Sequence, residues 1–308
     1  MVSVVIPTHK RAGLLIYGLE RIYGQKGVEM EVAVINDIED EDETDRIAEL
    51  FPGISYVKSG AIQGPSEKHK KGLSMTGGEY VYLPDDDDYL IDDRFFEKAV
   101  KILEENPDVA FVSGNVNILV EGENGETVGI RPHRLAVSGK INGLEYLQEF
   151  QRAYPKPLST VSTLFRRSSL DPDMIEMSDS SMYMNALLCG DAFIMDDTVA
   201  VYRIRKKKGG SLTSSASLPF IMNALRQKES LYLQARTRIP RPGDFWRYQF
   251  ANTYSLLAEK PGCKQEKSYV VKWGFRHLHG SFRLLLYLCR LAVTDGGSGR
   301  PGASRPDA

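Results

Sequence analysis

The first hundred residues alternate short runs of β-branched and aromatic residues with longer amphipathic stretches. VSVVIP (2–7), EVAVIN (31–36), ISYVK (54–58) and EYVYL (79–83) predict strands, and the segments near 13–25, 42–50, 66–75 and 92–105 predict helices. In 92–105, Phe95, Ala99, Ile102 and Leu103 recur at i, i+4, i+7 and i+8, while Asp92, Asp93, Glu104 and Glu105 fall opposite. One stripe therefore packs and the other meets water. Strand and helix in regular alternation build βαβ units, so the fold class is α/β with a mostly parallel central sheet flanked by helices.

From about 109 the rhythm changes. VAFVSG and NVNILV read as two strands, ENGE as a hairpin turn, and GLEYLQEFQRA (143–153) as a helix. STLFRR, AFIM and VAVYRIR add short strands around a helix at 180–189, extending the same sheet in mixed fashion. After KKKGGS (206–211) the pattern becomes helical at 217–236, 243–258 and 267–292, divided by RIPRPG and EKPGC. The expected organisation is an α/β domain over 1–214, with halves 1–108 and 109–214, then a helical region over 215–292. Residues 293–308, poor in large apolar side chains, are expected to be a disordered tail.

Charge divides along the same line. Residues 1–199 carry 19 Lys and Arg against 35 Asp and Glu, and residues 200–292 carry 18 against 4. The second region is thereby suited to an anionic partner. Its segment 268–291 interleaves Lys272, Arg276, Arg283 and Arg290 with Trp273, Phe275, Phe282 and Tyr287. Such a helix can lie on an anionic membrane surface, or pack in a core with its cationic heads reaching water. Its aromatics sit in apolar runs and not on a stacking face, which argues against nucleic acid. Cys189, Cys263 and Cys289 are odd in number and widely spaced, and no histidine stands at zinc-finger spacing from them. With a strand-like N-terminus and no run of about 20 apolar residues, a cytoplasmic protein, peripheral to the membrane at most, is expected.

The sharpest local feature is YVYLPDDDDYL (80–90), an apolar strand that ends in four consecutive aspartates. Ligands of open α/β sheets sit at the carboxyl ends of strands. Crowded carboxylates there are costly without a cation, and Mg²⁺ or Mn²⁺ takes carboxylate and phosphate oxygens. The alternative is a solvated acidic turn favouring the N-terminus of the next helix.

Four blocks in order resemble the family 2 glycosyltransferases, which have a GT-A fold, invert the anomeric centre and carry a DxD motif. VVIPTHKR (4–11) resembles the family's first strand and its polar exit, implying nucleotide contacts from Pro7, Thr8, Lys10 and Arg11. AVINDIEDEDETD (33–45) is similar to the acidic strand end that holds base and ribose, which assigns Asp37 to the base. Asn36 stands there for a customary aspartate, and Ile38 and Glu39 for Gly-Ser. GPSEKHKKGLSMTGGEYVYLPDDDD (64–88) resembles the approach to the DxD motif. It implies Asp85 and Asp87 as metal ligands with Asp88 beside them, and donor contacts from Asp86 and from Lys68, Lys70 or Lys71. MSDSSMYMNALLCGDAFIMDDTVAVYRIRKKKGGSLT (177–213) resembles the catalytic segment and makes Asp179 the general base. Ser178 replaces the usual Glu, and Arg205 the usual His. An arginine cannot ligate a cation but suits a diphosphate.

The resemblance implies a divalent cation, Mg²⁺ or Mn²⁺, and a nucleotide-sugar donor of the UDP class. It implies a saccharide or lipid-linked acceptor, as in cell-surface polysaccharide synthesis. The chemistry is coherent: a held metal and a cation offset charge on the leaving diphosphate, and a carboxylate takes the acceptor's proton. A sugar-phosphate nucleotidyltransferase would need a glycine-rich loop after the first strand, which THKRAG lacks. Ser178 and Arg205 leave open a sugar-nucleotide binder without transferase activity.

Overall fold

The computed structural model describes residues 1–37, 43–60, 64–122, 125–173, 179–205, 217–258, 260 and 262–294. The expectations for Ile38, Glu39, part of ENGE, Ser178, KKKGGS and the tail from 295 onward lie outside them. The chain divides into two units, Met1–Gly210 and Ser211–Ala308.

In the first unit the elements run β1 (Val2–Thr8), α1 (Ala12–Tyr23), β2 (Met30–Asn36), α2 (Ile47–Leu50), β3 (Ser55–Lys58) and α3 (Gly64–Met75). Next come β4 (Tyr80–Tyr82), β5 (Tyr89–Leu90), α4 (Phe95–Glu105), β6 (Val109–Glu121), β7 (Thr127–His133) and β8 (Gly139–Ile141). The unit closes with α5 (Gly143–Gln148), β9 (Thr163–Arg166), α6 (Asp179–Cys189) and β10 (Asp191–Arg205). One mixed sheet has the order β3-β2-β1-β4-β9-β6-β10-β5, with β7 beside β6 and β8 beside β10. β1 pairs in parallel with β2 and β4, and β2 with β3. These strands deliver their carboxyl ends to a single rim.

The apolar pattern explains the layers. β1 is buried over its whole length, as an apolar strand covered on both faces must be. α4 buries Phe95, Phe96, Ala99 and Leu103 completely, and Phe96 meets the Tyr82 ring edge-on at 4.9 Å. Each such aromatic contributes about 1.5–3 kcal/mol of burial. Gly18 of α1 is there for closeness: a Cβ would stand 3.3 Å from the Asp88 carbonyl oxygen. A bare helix face is what lets α1 press on the aspartate turn.

Two expected pairs of strands are each one long strand. VAFVSG and NVNILV form β6 without interruption, while AFIM and VAVYRIR join as β10 through register shifts between Ile194 and Ala200. Asn115 Nδ2 donates to the carbonyl of Asp196 at 3.0 Å, satisfying backbone that the bulge removes from the ladder. The helix expected over 143–153 stops at Gln148, and Gln151 adopts a left-handed φ of 62°.

The second unit contains α7 (Leu218–Ala235), α8 (Pro242–Ala258), α9 (Lys264–Arg276) and α10 (Phe282–Thr294). Ser217 Oγ caps α7 by accepting from Phe220 N. Trp246 and Phe250 are fully buried, with Tyr232 stacked on Trp246 at 5.4 Å and Trp273 stacked on Phe250 at 6.3 Å. The single helix expected over 267–292 is two. His279 (φ 49°) and Gly280 (φ 77°) turn the chain, and Ser281 Oγ accepts from Leu284 N to start α10. Among the described residues no helix is long and apolar enough to cross a membrane.

Candidate functional site

The rim collects the exits of β1, β2 and β4. β1 ends at Thr8, β2 at Asn36 just before Asp37, and β4 leads into Asp85–Asp88. Parallel pairing in register (Thr8 opposite Asn36) puts these exits side by side.

Asp37 is buried, and Lys68 and His9 share its carboxylate. Lys68 Nζ donates to Oδ2 at 3.0 Å and to the Thr8 carbonyl at 2.8 Å, and His9 Nδ1 lies 2.6 Å from Oδ1. Burial pushes the Asp37 pKa up, but the hydrogen bonds and charges of Lys68 and His9 outweigh it and hold the group below its usual value. Lys68, expected to reach a donor, is itself buried and spends its ammonium on Asp37 and Thr8. Lys70 pairs with Glu67 and Asp173, and Lys71 stays half-buried on the same helix.

The four aspartates are engaged differently. Asp86 turns back to β1, accepting from Thr8 Oγ1 at 2.8 Å and from Arg11 at 2.9 Å. Asp87 accepts from the same Arg11 nitrogen at 2.8 Å. Asp88 turns inward, where Ser159 Oγ donates to one oxygen and Arg203 N to the other, each at 2.8 Å. Expected among the metal ligands, Asp88 has both oxygens engaged by protein and braces the turn. Asp85 is exposed, and among the described residues its side chain has no hydrogen-bond or ion-pair partner. It opens to solvent yet stands in crowded surroundings. Desolvation, then Asp179, Asp87 and Asp86, raise its pKa to about 7. Desolvation also raises Asp87, against the pull of Arg11, and lifts Asp88 well above the carboxylate range.

Asp179 opens α6, pairs with Lys156 at 3.3 Å, and is half-exposed. Tyr202 on β10 registers the common field: burial, then Asp88, Asp85, Asp179 and Asp87 push it up to about 12. The structure thus brings Asp179 into the same electrostatic neighbourhood as the tetrad. Arg205 Nε donates to Glu121 at 3.1 Å, and Arg203 forms a closer pair with the same carboxylate. Pro7 and Thr8 are buried at the rim, Lys10 (φ 53°) is exposed, and Arg11 is bound to Asp86 and Asp87.

Sequence reasoning missed His9, Glu121, Ser159 and Arg203, which hold the site through contacts between distant elements. It also missed His69, whose buried Nε2 has no partner among the described residues. Burial and Lys68 lower its pKa to about 4 despite Asp179, so the ring is neutral. Only the PTHKR motif next to β1 carried any signal for one of these, His9.

A divalent cation fits this donor set. Asp85 offers an unmatched, solvent-facing carboxylate beside Asp87, and hard cations take such oxygens.

Comparison with known proteins agrees with the architecture. The family model described as glycosyl transferase family 2 matches residues 3–171. An uncharacterized glycosyltransferase of Haemophilus influenzae is 24% identical over 151 residues, 47% of this chain and 51% of that protein. The GalNAc(5)-diNAcBac-PP-undecaprenol beta-1,3-glucosyltransferase of Campylobacter jejuni is 30% identical over 124 residues, 39% of each. The chain spans about half, or less, of the length of these curated relatives. Among solved structures, residues 1–349 of S. aureus TarS in complex with UDP-GlcNAc superpose with a TM-score of 0.67 at 18% identity, covering 96% of this chain and 88% of that one. The mannosyltransferase PcManGT of Pyrobaculum calidifontis, in complex with GDP-Man and Mn²⁺, gives 0.51 at 18% identity over 96% and 81%. These likenesses carry the fold, a GT-A type α/β domain followed by helices. With a family match over more than half its length, the chain belongs to glycosyl transferase family 2.

Proposed function

We propose that the protein is an inverting glycosyltransferase that moves a hexosyl or N-acetylhexosaminyl group from a UDP-class nucleotide sugar to a saccharide or lipid-linked acceptor, as in cell-surface polysaccharide synthesis. The observation that carries this reading is the rim itself, where the Asp85 carboxylate, without a hydrogen-bond or ion-pair partner among the described residues, feels the charge of the half-exposed Asp179, and buried Asp37 stands at the neighbouring strand exit. TarS with UDP-GlcNAc and PcManGT with GDP-Man and Mn²⁺ support the donor class and the metal by analogy of fold.

In this reading Asp37 accepts from the nucleobase, its ionised form secured by Lys68 and His9. Asp85 and Asp87 hold Mg²⁺ or Mn²⁺, which supplies positive charge to the leaving diphosphate. Arg205 is anchored through Nε by Glu121, which directs its terminal nitrogens to a phosphate oxygen. Asp179 takes the proton of the attacking hydroxyl at a carboxylate oxygen, and Lys156 fixes its orientation. Attack opposite the leaving group inverts the anomeric centre.

The helical unit supports a peripheral role at the inner membrane face. On α10, Phe282 (67% exposed), Leu286 (47%) and Val293 (76%) share one stripe at i, i+4 and i+11, flanked by the exposed Arg283 and Arg290. Apolar residues bordered by cations suit an anionic lipid surface.

The test is a panel of nucleotide sugars in thermal shift with and without Mn²⁺, followed by donor turnover. A Mn²⁺-dependent upward shift with one sugar class, and turnover lost in Asp179→Asn while donor binding persists, is the expected result. Tight UDP binding with no turnover of any donor would make the protein a binder instead.

A further inference from the structure

A second cluster, within the helical unit, presents nitrogen ligands. His277 and His279 flank Leu278 in the reversal between α9 and α10, and both rings turn onto Glu229 of α7. His277 Nδ1 lies 2.6 Å and His279 Nε2 2.5 Å from the same oxygen, Glu229 Oε1. The three ligand atoms all lie within 4.8 Å of one another. Side-chain exposures of 15% for Glu229, 33% for His277 and 23% for His279 leave one side open to solvent.

The arrangement is held from behind. The Trp273 ring stacks on His277 at 4.0 Å and 13°. The buried Trp246 donates from Nε1 to the His277 carbonyl at 2.8 Å, and Ser281 N donates to the Leu278 carbonyl at 2.8 Å. His279 holds a left-handed φ of 49°, which costs a β-carbon-bearing residue roughly 1 kcal/mol. Groups kept in a costly conformation by surrounding contacts are frequently ligands. Sequence alone hid the cluster, because 48 residues separate Glu229 from His277 and no cysteine is involved.

We propose that Glu229, His277 and His279 form a site for one divalent ion of the zinc class, tying α7 to the α9–α10 reversal. Two imidazoles and a carboxylate are a ligand set for Zn²⁺ or its nitrogen-preferring neighbours, with the open side left to water. Mg²⁺ and Mn²⁺ favour all-oxygen sets and belong at the rim. Zinc bonds of about 2.0–2.2 Å require the three atoms to spread by roughly 0.5–1 Å. Rotation of the Glu229 carboxylate accommodates this, since the backbones carrying the imidazoles are the fixed part. The ion is a structural fastener and takes no part in glycosyl transfer.

The experiment uses the untagged full chain in excess Mg²⁺, titrated with Co²⁺ as the visible probe. The expected result is one Co²⁺ per chain with the intense absorption of four- or five-fold coordination, displaced by one equivalent of Zn²⁺, and an upward thermal shift on adding Zn²⁺ alone. Glu229→Gln and His279→Gln should each weaken Co²⁺ binding at least tenfold. Should Glu229→Gln not fold, His279→Gln, a change at a partly exposed side chain, carries the test. A six-coordinate spectrum, absence of binding beyond what Mg²⁺ displaces, or unchanged affinity in His279→Gln would overturn the proposal.

Discussion

Lys68→Met is the most revealing single change at the rim, because it removes one charge from a buried pair and leaves the other. The Lys68 and Asp37 side chains are only 5% and 3% exposed, and their atoms are 3.0 Å apart. Stranding a buried carboxylate costs about 3–5 kcal/mol, and the Thr8 carbonyl loses its donor for about 1 kcal/mol more. His9 remains against Asp37 and offsets part of this, so a loss of roughly 3–4 kcal/mol is expected. At about 2–4 °C per kcal/mol the thermal transition should fall by roughly 6–16 °C. The pH dependence supplies a second reading. Asp37 titrates below its unfolded value in the native protein. Its contribution is therefore complete above the unfolded pKa of about 3.9 and disappears as pH falls through the lower native pKa. Urea denaturation from pH 3 to 7, for the single variant and for Asp37→Asn/Lys68→Met, measures both. A single-variant loss under about 1 kcal/mol, or a double variant as unstable as the single, would refute the stranded-charge argument.

Three further outcomes follow from the geometry. Asp85→Asn should abolish Mn²⁺-dependent donor binding while leaving the unliganded transition no lower. Because a raised carboxylate pKa near 7 penalises the native state as pH climbs from about 4 to 7, the variant should gain on the wild type at pH 8 but not at pH 4; calorimetry at the two pH values checks this. In the helical unit, burial lowers the Lys228 pKa to about 8, with Thr253 Oγ1 as its hydrogen-bond partner at 2.8 Å. Stability should thus rise between pH 8 and 10.5 by up to about 3 kcal/mol, and Lys228→Met should flatten that rise in chemical denaturation. Replacing Phe282, Leu286 and Val293 together with serine should release the protein from anionic vesicles in a sedimentation assay, with helical content retained; undiminished binding would remove the membrane role.

Local pattern made much of this molecule legible before any coordinates. The α4 stripe is visible because Phe95, Ala99 and Leu103 repeat at the helical period, and all three are buried. The tetrad is visible because an apolar strand cannot end in four carboxylates without a reason. Hidden from that vantage are features decided by partners far along the chain. Asp88 reads like its neighbours until Ser159 and Arg203 are found on it. Lys68 reads as a donor contact until the β2 exit brings Asp37 against it. The interleaved apolar and basic residues of 268–291 concealed a reversal, although Gly280 followed by Ser281 spelled a helix stop and a fresh cap. β6 and β10 looked like four strands because Gly114 and the Asp196–Asp197 bulge interrupt their apolar runs without interrupting their pairing.

The attachment of Asp88 bears on how such enzymes can be recombined. The turn that carries the tetrad is fastened to Ser159 and to the Arg203 backbone, while Arg203 is itself clamped by Glu121. All three come from later in the chain than the tetrad, Glu121 on β6, Arg203 on β10 and Ser159 just before β9, outside β1, β2 and β4. A chimera that imports residues 109–205 from a relative must therefore inherit these three positions as a matched set, or it will loosen the tetrad turn while leaving the tetrad's own sequence intact.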